Sequence, residues 1–279
     1  MSSTATQERV VVGIDGSQNA LHAAVWATEV ALREHLPIQL LAVHEPVAAS
    51  GQDPVLRDEL ERQHVQDAHV HLAQAGDVVR HAIAAAQAPG GATEIRTEMR
   101  TGNAFTVLLE AAGPAALLVF GARTSPSTSD AIVTTAALIA RSRCPVAVVG
   151  HRPHPARGPV VVGVRSGDEP GVLDYAFRQA RARGIHLRAL HCAPNGQVPS
   201  SASDAARRLD SWLRPATALH PAVVVEPVVT HHPPSPALIE QSSSADLLVI
   251  GRGTRAPSGL LGATAAAVLL HAACPVVFV

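Results

Sequence analysis

Val10-Val11-Val12-Gly13-Ile14-Asp15-Gly16-Ser17 is written twice in this chain, because Val160-Val161-Val162-Gly163-Val164-Arg165-Ser166-Gly167 repeats it 150 residues later. Each copy opens with an unbroken, β-branched apolar run, the pattern of a strand buried on both faces of a parallel sheet. Small and polar residues then break the run before a helical pattern begins. Strand, tight turn and helix N-terminus in that order leave backbone N–H groups free to face an anion. One difference between the copies bears on chemistry: Asp15 in the first is Arg165 in the second.

Outward from the first copy, the pattern predicts a helix over 20–35, with Leu21, Ala24, Val25, Thr28, Ala31 and Leu32 on one stripe. A buried strand over 38–43 and a loop over 50–53 follow. A long helical pattern then runs from 54 to about 87, with Gly76 as its weak point and Pro89-Gly90-Gly91 as its stop. Next come a more exposed strand over 93–100, a helix over 104–112 and a strand over 117–120 ending on Gly121. A loop over 122–129, a helix over 130–143 and a strand over 145–149 complete the half.

The second copy repeats that order. Strands fall at 160–164, 185–191, 223–229, 247–250 and 275–279, and helices at 172–183, 203–219, 236–241 and 262–273. Its loop at 194–201 precedes the long helix, which Pro215 should kink or cut. Late landmarks recur at an offset of 130 (Glu110 with Glu240, Gly121 with Gly251, Cys144 with Cys274), so about 20 residues are missing from the middle helix and its flanking loop. A proline-rich linker, 151–159, separates domain 1–150 from the shorter domain 158–279. Strands alternating with helices require right-handed parallel crossovers and helices on both faces. The expected architecture is therefore α/β: two tandem doubly wound domains, each a five-stranded parallel sheet. Ligands of such sheets sit at the carboxyl ends of the strands, here the loops from Asp15, Val43, Met99 and Gly121.

Composition narrows the function. With 279 residues and 47% apolar content, each half can bury its own core. No apolar run approaches the ~20 residues that span a bilayer. Residues 1–9 lack the apolar core of a signal peptide, so a cytoplasmic protein is expected. A net charge of −1 supplies no field for nucleic acid or membrane lipid. All 22 basic residues are Arg, which excludes a Walker lysine and Schiff-base chemistry. Cys144 and Cys274, each before Pro and an apolar run, read as buried thiols rather than a disulfide framework. His64, His69, His71 and His81 lie along the long first-half helix without completing ligand spacing, and His231-His232 reads as a turn, so no metal is expected.

The chain resembles tandem universal stress proteins over nearly its whole length. In the first half the resemblance is carried by the Val-Val-Gly-Ile-Asp-Gly-Ser opening, Trp26-Ala27, Val43-His44, Leu108-Leu109-Glu110, 117–121 and Arg143-Cys144-Pro145 with its apolar run. In the second half it is carried by Tyr175-Ala176, Leu238-Ile239-Glu240, 245–251 and His271 to Val277. The resemblance implies strand order 3-2-1-4-5, a non-catalytic role in stress tolerance and ATP binding in some members. It also implies dimerisation in the region of the last strands, which predicts that the two halves pair through 146–149 and 276–279, with homodimers and an unidentified protein partner beyond that. An unpaired apolar edge is a liability that proteins cover.

ATP-binding members carry an Asp after the first strand and a loop Gly, two residues, Gly, nine residues, Gly, Ser or Thr after the fourth. Glycines there let backbone N–H groups crowd phosphates, and the helix N-terminus adds positive partial charge. By resemblance the first half keeps Gly13, Asp15, Val43, Gly121 and Arg123, but Ile132 and Val133 stand where the last Gly and Ser belong. The second half keeps Gly251, Gly253, Gly259, Gly262 and Thr264 but replaces the Asp by Arg165. Arg165, Arg252 and Arg255 suit phosphate by geometry or serve as solvated surface charge. Asp15 reads as an acceptor for sugar or base, or as a cap of its own turn. With neither site complete, ATP binding is expected to be weak or absent, and any binding is expected in the first half. The alternative is an interaction scaffold that no longer binds nucleotide.

Overall fold

The computed structural model describes residues 8–46, 54–86, 93–122, 129–150, 158–167, 170–193, 202–253 and 261–279. The predicted loops at 50–53 and 194–201, the stop at Pro89-Gly90-Gly91, most of the linker, and Arg123, Arg255 and Gly259 lie outside them. The chain forms two compact units, 1–151 and 152–279.

Unit one runs β1 (Val10–Ile14), α1 (Gln18–Glu34), β2 (Ile38–His44), α2 (Pro54–Ala85), β3 (Ile95–Thr101), α3 (Ala104–Ala112), β4 (Leu117–Gly121), α4 (Ser129–Arg141) and β5 (Val146–Val149). Its strands are all parallel, in the order β3-β2-β1-β4-β5. The register places Val10 beside both Ile38 and Leu117. Val10, Val11 and Val12 are fully buried, as a central strand covered on both faces requires. Burial of each such side chain is worth ~1.5–3 kcal/mol. Right-handed crossovers in this order put α1 with α2 on one face and α3 with α4 on the other, and those helices touch in those pairs.

Local chemistry sets the ends of the helices. Ser17 caps α1 by accepting from the Ala20 N–H at 3.2 Å, and His35 closes it in the left-handed region at φ 56°. Asn103 caps α3 by accepting from Thr106 N. On α1 the buried stripe includes Leu21, Ala24, Thr28 and Ala31, as the sequence placed them, together with Ala20, Ala23, Ala27 and Val30, and its many small residues bring the helix close to the sheet. Val25 and Leu32, placed on that stripe by sequence, are only half-buried. α2 runs unbroken through Gly76, which is itself buried. The glycine does not break the helix, and a Cβ there would meet only the Arg80 guanidinium one turn on, at 3.3 Å.

Unit two repeats the plan: β6 (Val160–Gly163), α5 (Pro170–Arg183), β7 (Leu187–Cys192), α6 (Ala202–Leu219), β8 (Val225–Thr230), α7 (Pro234–Ser242), β9 (Leu247–Ile250), α8 (Ala263–His271) and β10 (Val276–Phe278). Its parallel order is β8-β7-β6-β9-β10. The missing residues fall where the sequence placed them, since α2 has 32 residues and α6 has 18, a difference of 14. α6 continues through Pro215 as a single helix, against the expected cut. Cys144 and Cys274 are buried free thiols, and burial raises the Cys274 pKa to about 12.

Candidate functional site

In each unit the strand order reverses between the first and fourth strands, β1 and β4 or β6 and β9, and the loops at their carboxyl ends face each other there. The paired registers make the two sites comparable residue by residue. Val10 pairs with Ile38 and Leu117, and Val160 pairs with Leu187 and Leu247. Gly13 therefore matches Gly163, Asp15 matches Arg165, Val43 matches Cys192, Phe120 matches Ile250 and Gly121 matches Gly251.

In the first half the described residues at this point bond to and pack against their own chain. The Asp15 carboxylate accepts from Ser17 N at 3.0 Å and from the Ser17 hydroxyl at 2.6 Å, so it closes its own turn. Gly16 lies in that turn at φ 80°, and the His71 ring of α2 sits over it so closely that a Cβ at Gly16 would fall 2.3 Å from Cε1. A Cβ on Gly13 would fall 2.9 Å from the Phe120 ring. One on Gly121 would fall 2.3–2.5 Å from the Asn19 and Ala20 backbone, so this glycine admits the start of α1 rather than a phosphate. Asn19 donates its side-chain amide to the Ala122 carbonyl, pinning the loop after β4 to α1. α4 already starts at Ser129. The N–H of Val133 is therefore one turn inside the helix, where it bonds a helical carbonyl. Val43 is half-buried in β2.

The second half holds an open cavity of about 280 Å³ at the corresponding point. Gly163, Arg165, Cys192, Gly251, Gly253, Gly262 and Thr264 line it, with apolar walls from Val164, Leu190, Leu238 and Ile250. Ile250 stands where the first half has Phe120, and a Cβ on Gly163 would fall 3.2 Å from its side chain. Gly253 takes φ 86° and lies against Gly262, where a side chain at 253 would be strained. α8 begins at Ala263 behind the N-cap Gly262, which makes no side-chain cap bond. The N–H groups of its first turn thus lie at the cavity with the positive end of the helix dipole. Burial pushes the Cys192 thiol above its ordinary pKa, so this wall is neutral. His191 is held by a 2.8 Å bond between Nδ1 and the Val164 carbonyl oxygen, and its ring meets Trp212 edge-on at 5.1 Å.

Sequence reasoning placed any ligand in the first half; the described cavity is in the second. Neither Phe120, whose ring lies against Gly13, nor Asn19, which ties Ala122 to α1, carries a motif. Cys192 was also missed, although its register equivalence to Val43 is legible once the strand starts are aligned. Among the described residues no group of three or more His, Cys, Asp or Glu side chains could hold a metal, and no helix is long and apolar enough to cross a membrane.

The sequence profile of the universal stress protein family matches residues 7–150 and again 157–279. Universal stress protein Rv2624c of Mycobacterium tuberculosis is 30% identical over 281 residues, spanning 98% of this chain and 97% of its own. Universal stress protein Rv1996 of the same organism is 28% identical over 309 residues, spanning 99% and 96%. Among solved structures, a universal stress protein from Archaeoglobus fulgidus matches with TM-score 0.72 over 98% of this chain and 96% of that one, at 17% identity. The cytoplasmic domain of a prokaryotic cation chloride cotransporter matches at TM-score 0.56 and 12% identity over 98% and 95%. Both structural likenesses are likenesses of fold.

Proposed function

The chain belongs to the universal stress protein family, and we propose that it is a non-catalytic, cytoplasmic stress-response protein that binds an adenine nucleotide weakly, in its second half. The observation that carries this reading is the cavity between β6, β9 and the start of α8, where Gly262 makes no side-chain cap bond. Glycines at 251, 253 and 262 and an open helix N-terminus supply backbone donors for phosphate, and Leu238 with Ile250 supplies an apolar wall for a base. The volume lies at the small end of ligand pockets, which start at ~300 Å³. Titration calorimetry with ATP tests the reading, with a dissociation constant of ~100 µM or weaker as the expected outcome. Ile250→Phe, which imports the first half's filler, should abolish binding, whereas Asp15→Ala should leave it unchanged. Loss of binding in Asp15→Ala alone would move the site back to the first half.

The second reading, a scaffold without nucleotide, is favoured by Asp15 bonding within its own turn, and absence of heat with ATP at millimolar concentration would support it. Pairing of the halves through 146–149 and 276–279, and self-association of whole chains, belong to the same proposal. Sedimentation velocity across micromolar concentrations tests the latter.

A further inference from the structure

Among the described residues, β3 in the first half and β8 in the second each pair with a strand on one side only. The parallel register fixes which backbone groups look outward. The Ile38 N–H donates to the Glu94 carbonyl and the Gly102 N–H to the His44 carbonyl, both at 2.9 Å. Arg96, Glu98 and Arg100 therefore bond to β2, and Ile95, Thr97, Met99 and Thr101 turn their backbone groups to the free edge. On β8 the same pattern turns Val225, Pro227 and Val229 outward, and Pro227 has no N–H to offer. A proline at such a place blunts an edge against further pairing. β3 has no proline. Its four charged side chains share one face and are already ordered along it, since Arg96 donates to Glu94 at 2.7 and 3.1 Å and Arg100 donates to Glu98 at 2.6 Å. Gln39 on β2 also donates to Glu98.

We infer that the free edge of β3 docks the β3 strand of a second copy of this chain, antiparallel about Thr97. The stretch Thr93-Glu94-Ile95-Arg96-Thr97-Glu98-Met99-Arg100-Thr101 is complementary to its own reverse. About Thr97, Arg96 stands opposite the partner's Glu98, and Glu94 opposite the partner's Arg100. On the other face Ile95 meets the partner's Met99, and Thr97 meets its own copy. The outward residues then exchange backbone hydrogen bonds, and the charged pairs fall at the closer, non-hydrogen-bonded positions. Neighbouring registers fail on charge. Centred on Glu98, the strands set Glu98 against itself and Arg96 against Arg100. Centred on Arg96, they set Arg96 against itself and Glu94 against Glu98. Charges on an edge strand ordinarily deter pairing; here their alternating signs select one partner and one register. Both copies use the same patch, as a two-fold contact requires. The inference rests on the self-association proposed above, names its surface, and is independent of the nucleotide reading.

Sedimentation velocity of the intact chain across micromolar concentrations should show a reversible dimer. Arg96→Glu alone sets carboxylates opposite each other across the contact, and Glu98→Arg alone sets guanidinium groups opposite each other. Each should weaken association by about tenfold or more. An equimolar mixture of these two variants restores opposite charges at every pair and should dimerise again, which a mere loss of folding would not allow. Thr97→Pro, which gives β3 the blunted centre of β8, should hold the chain as a monomer with its urea midpoint retained. A dimer that all three substitutions leave unchanged would overturn the inference and leave self-association through another surface standing. Loss of the dimer without recovery in the mixture would overturn it as well. A parent chain that stays monomeric throughout would overturn both the inference and self-association, with the ATP titration still deciding the nucleotide reading.

Discussion

The two units build the same nine elements in the same order, yet their described residues meet differently at the switch point. The difference comes from a few side chains, not from the fold. Phe120 stands where the second half has Ile250, and Asn19 ties Ala122 to the start of α1, while a cavity is described in the second half. The start of α4 at Ser129 hides N–H groups that α8, starting at Ala263, leaves uncovered. A duplicated fold can therefore keep its core and divide its roles, because the core is set by burial and the site by a handful of loop contacts.

The stability of the two halves should differ most at a second-half ion pair whose guanidinium is buried. Arg183, at the end of α5, has its side chain only 4% exposed and meets Asp246 at 3.1 Å. Its counterpart Arg33 lies on the surface and pairs with Glu29 along α1. Asp246→Ala leaves a guanidinium charge buried without its carboxylate and should destabilise the second half by about 3 kcal/mol or more. Glu29→Ala should cost about 0.5 kcal/mol at most. Each half has one tryptophan, Trp26 on α1 and Trp212 on α6. Urea unfolding followed by fluorescence in Trp26→Phe and Trp212→Phe backgrounds thus reads the halves separately. Equal losses would break the contrast.

Two switch-point glycines, Gly121 at the end of β4 and Gly262 at the start of α8, give the next contrast. Gly121→Ala drives a methyl group into the backbone of Asn19 and Ala20, and overpacking of this kind costs about 1–3 kcal/mol. Gly262→Ala meets nothing nearer than the Arg252 carbonyl at 3.5 Å, an ordinary contact, and should change stability by well under 1 kcal/mol.

A third contrast depends on pH. The folded Cys274 thiol titrates at about 12, above the ~8.5 of an unfolded cysteine. A raised folded pKa gives stability that is fully present below about pH 8.5 and is lost as pH rises toward 12. The slope is ~1.4 kcal/mol per pH unit, so about 2 kcal/mol is lost by pH 10. Urea midpoints at pH 8 and pH 10, read through Trp212, should fall more in the parent than in Cys274→Ala. A parallel fall in both would show that the thiol is not responsible.

Most of the fold was legible because it is written in periodicity. Fully apolar runs such as Val10 to Val12 leave no alternative to a doubly covered strand, and repeated offsets located the shortened helix. Pro215 and Gly76 misled because packing along α6 and α2 outweighs local propensity. The site was legible as a set of positions but not as a state. Nothing in the residue Phe120 announces that its ring lies against Gly13, and the sequence left Asp15 open between a ligand acceptor and a cap of its own turn, where Ser17 donates to it twice. Such contacts depend on distances between elements, which a single sequence does not carry.

The smallest expected effect tests whether the open helix start is kept for a ligand. Gly262 sits at φ −61° and ψ 151°, backbone that a serine adopts freely, and a Cβ there meets only ordinary contacts. Serine is the better N-cap, because its hydroxyl accepts from an N–H of the first turn, and the gain over glycine is a few tenths of a kcal/mol. That hydroxyl would occupy a donor that the cavity otherwise presents to phosphate. Gly262→Ser should therefore raise the urea midpoint of the second half slightly while weakening nucleotide binding severalfold. The matching first-half position, Ile132, lies within α4, where no open N–H remains to be capped, so Ile132→Ser should bring no such gain. If Gly262→Ser stabilised the protein and left binding intact, the first turn of α8 would not be the phosphate contact. The open cavity would then need a different account of which groups meet the ligand.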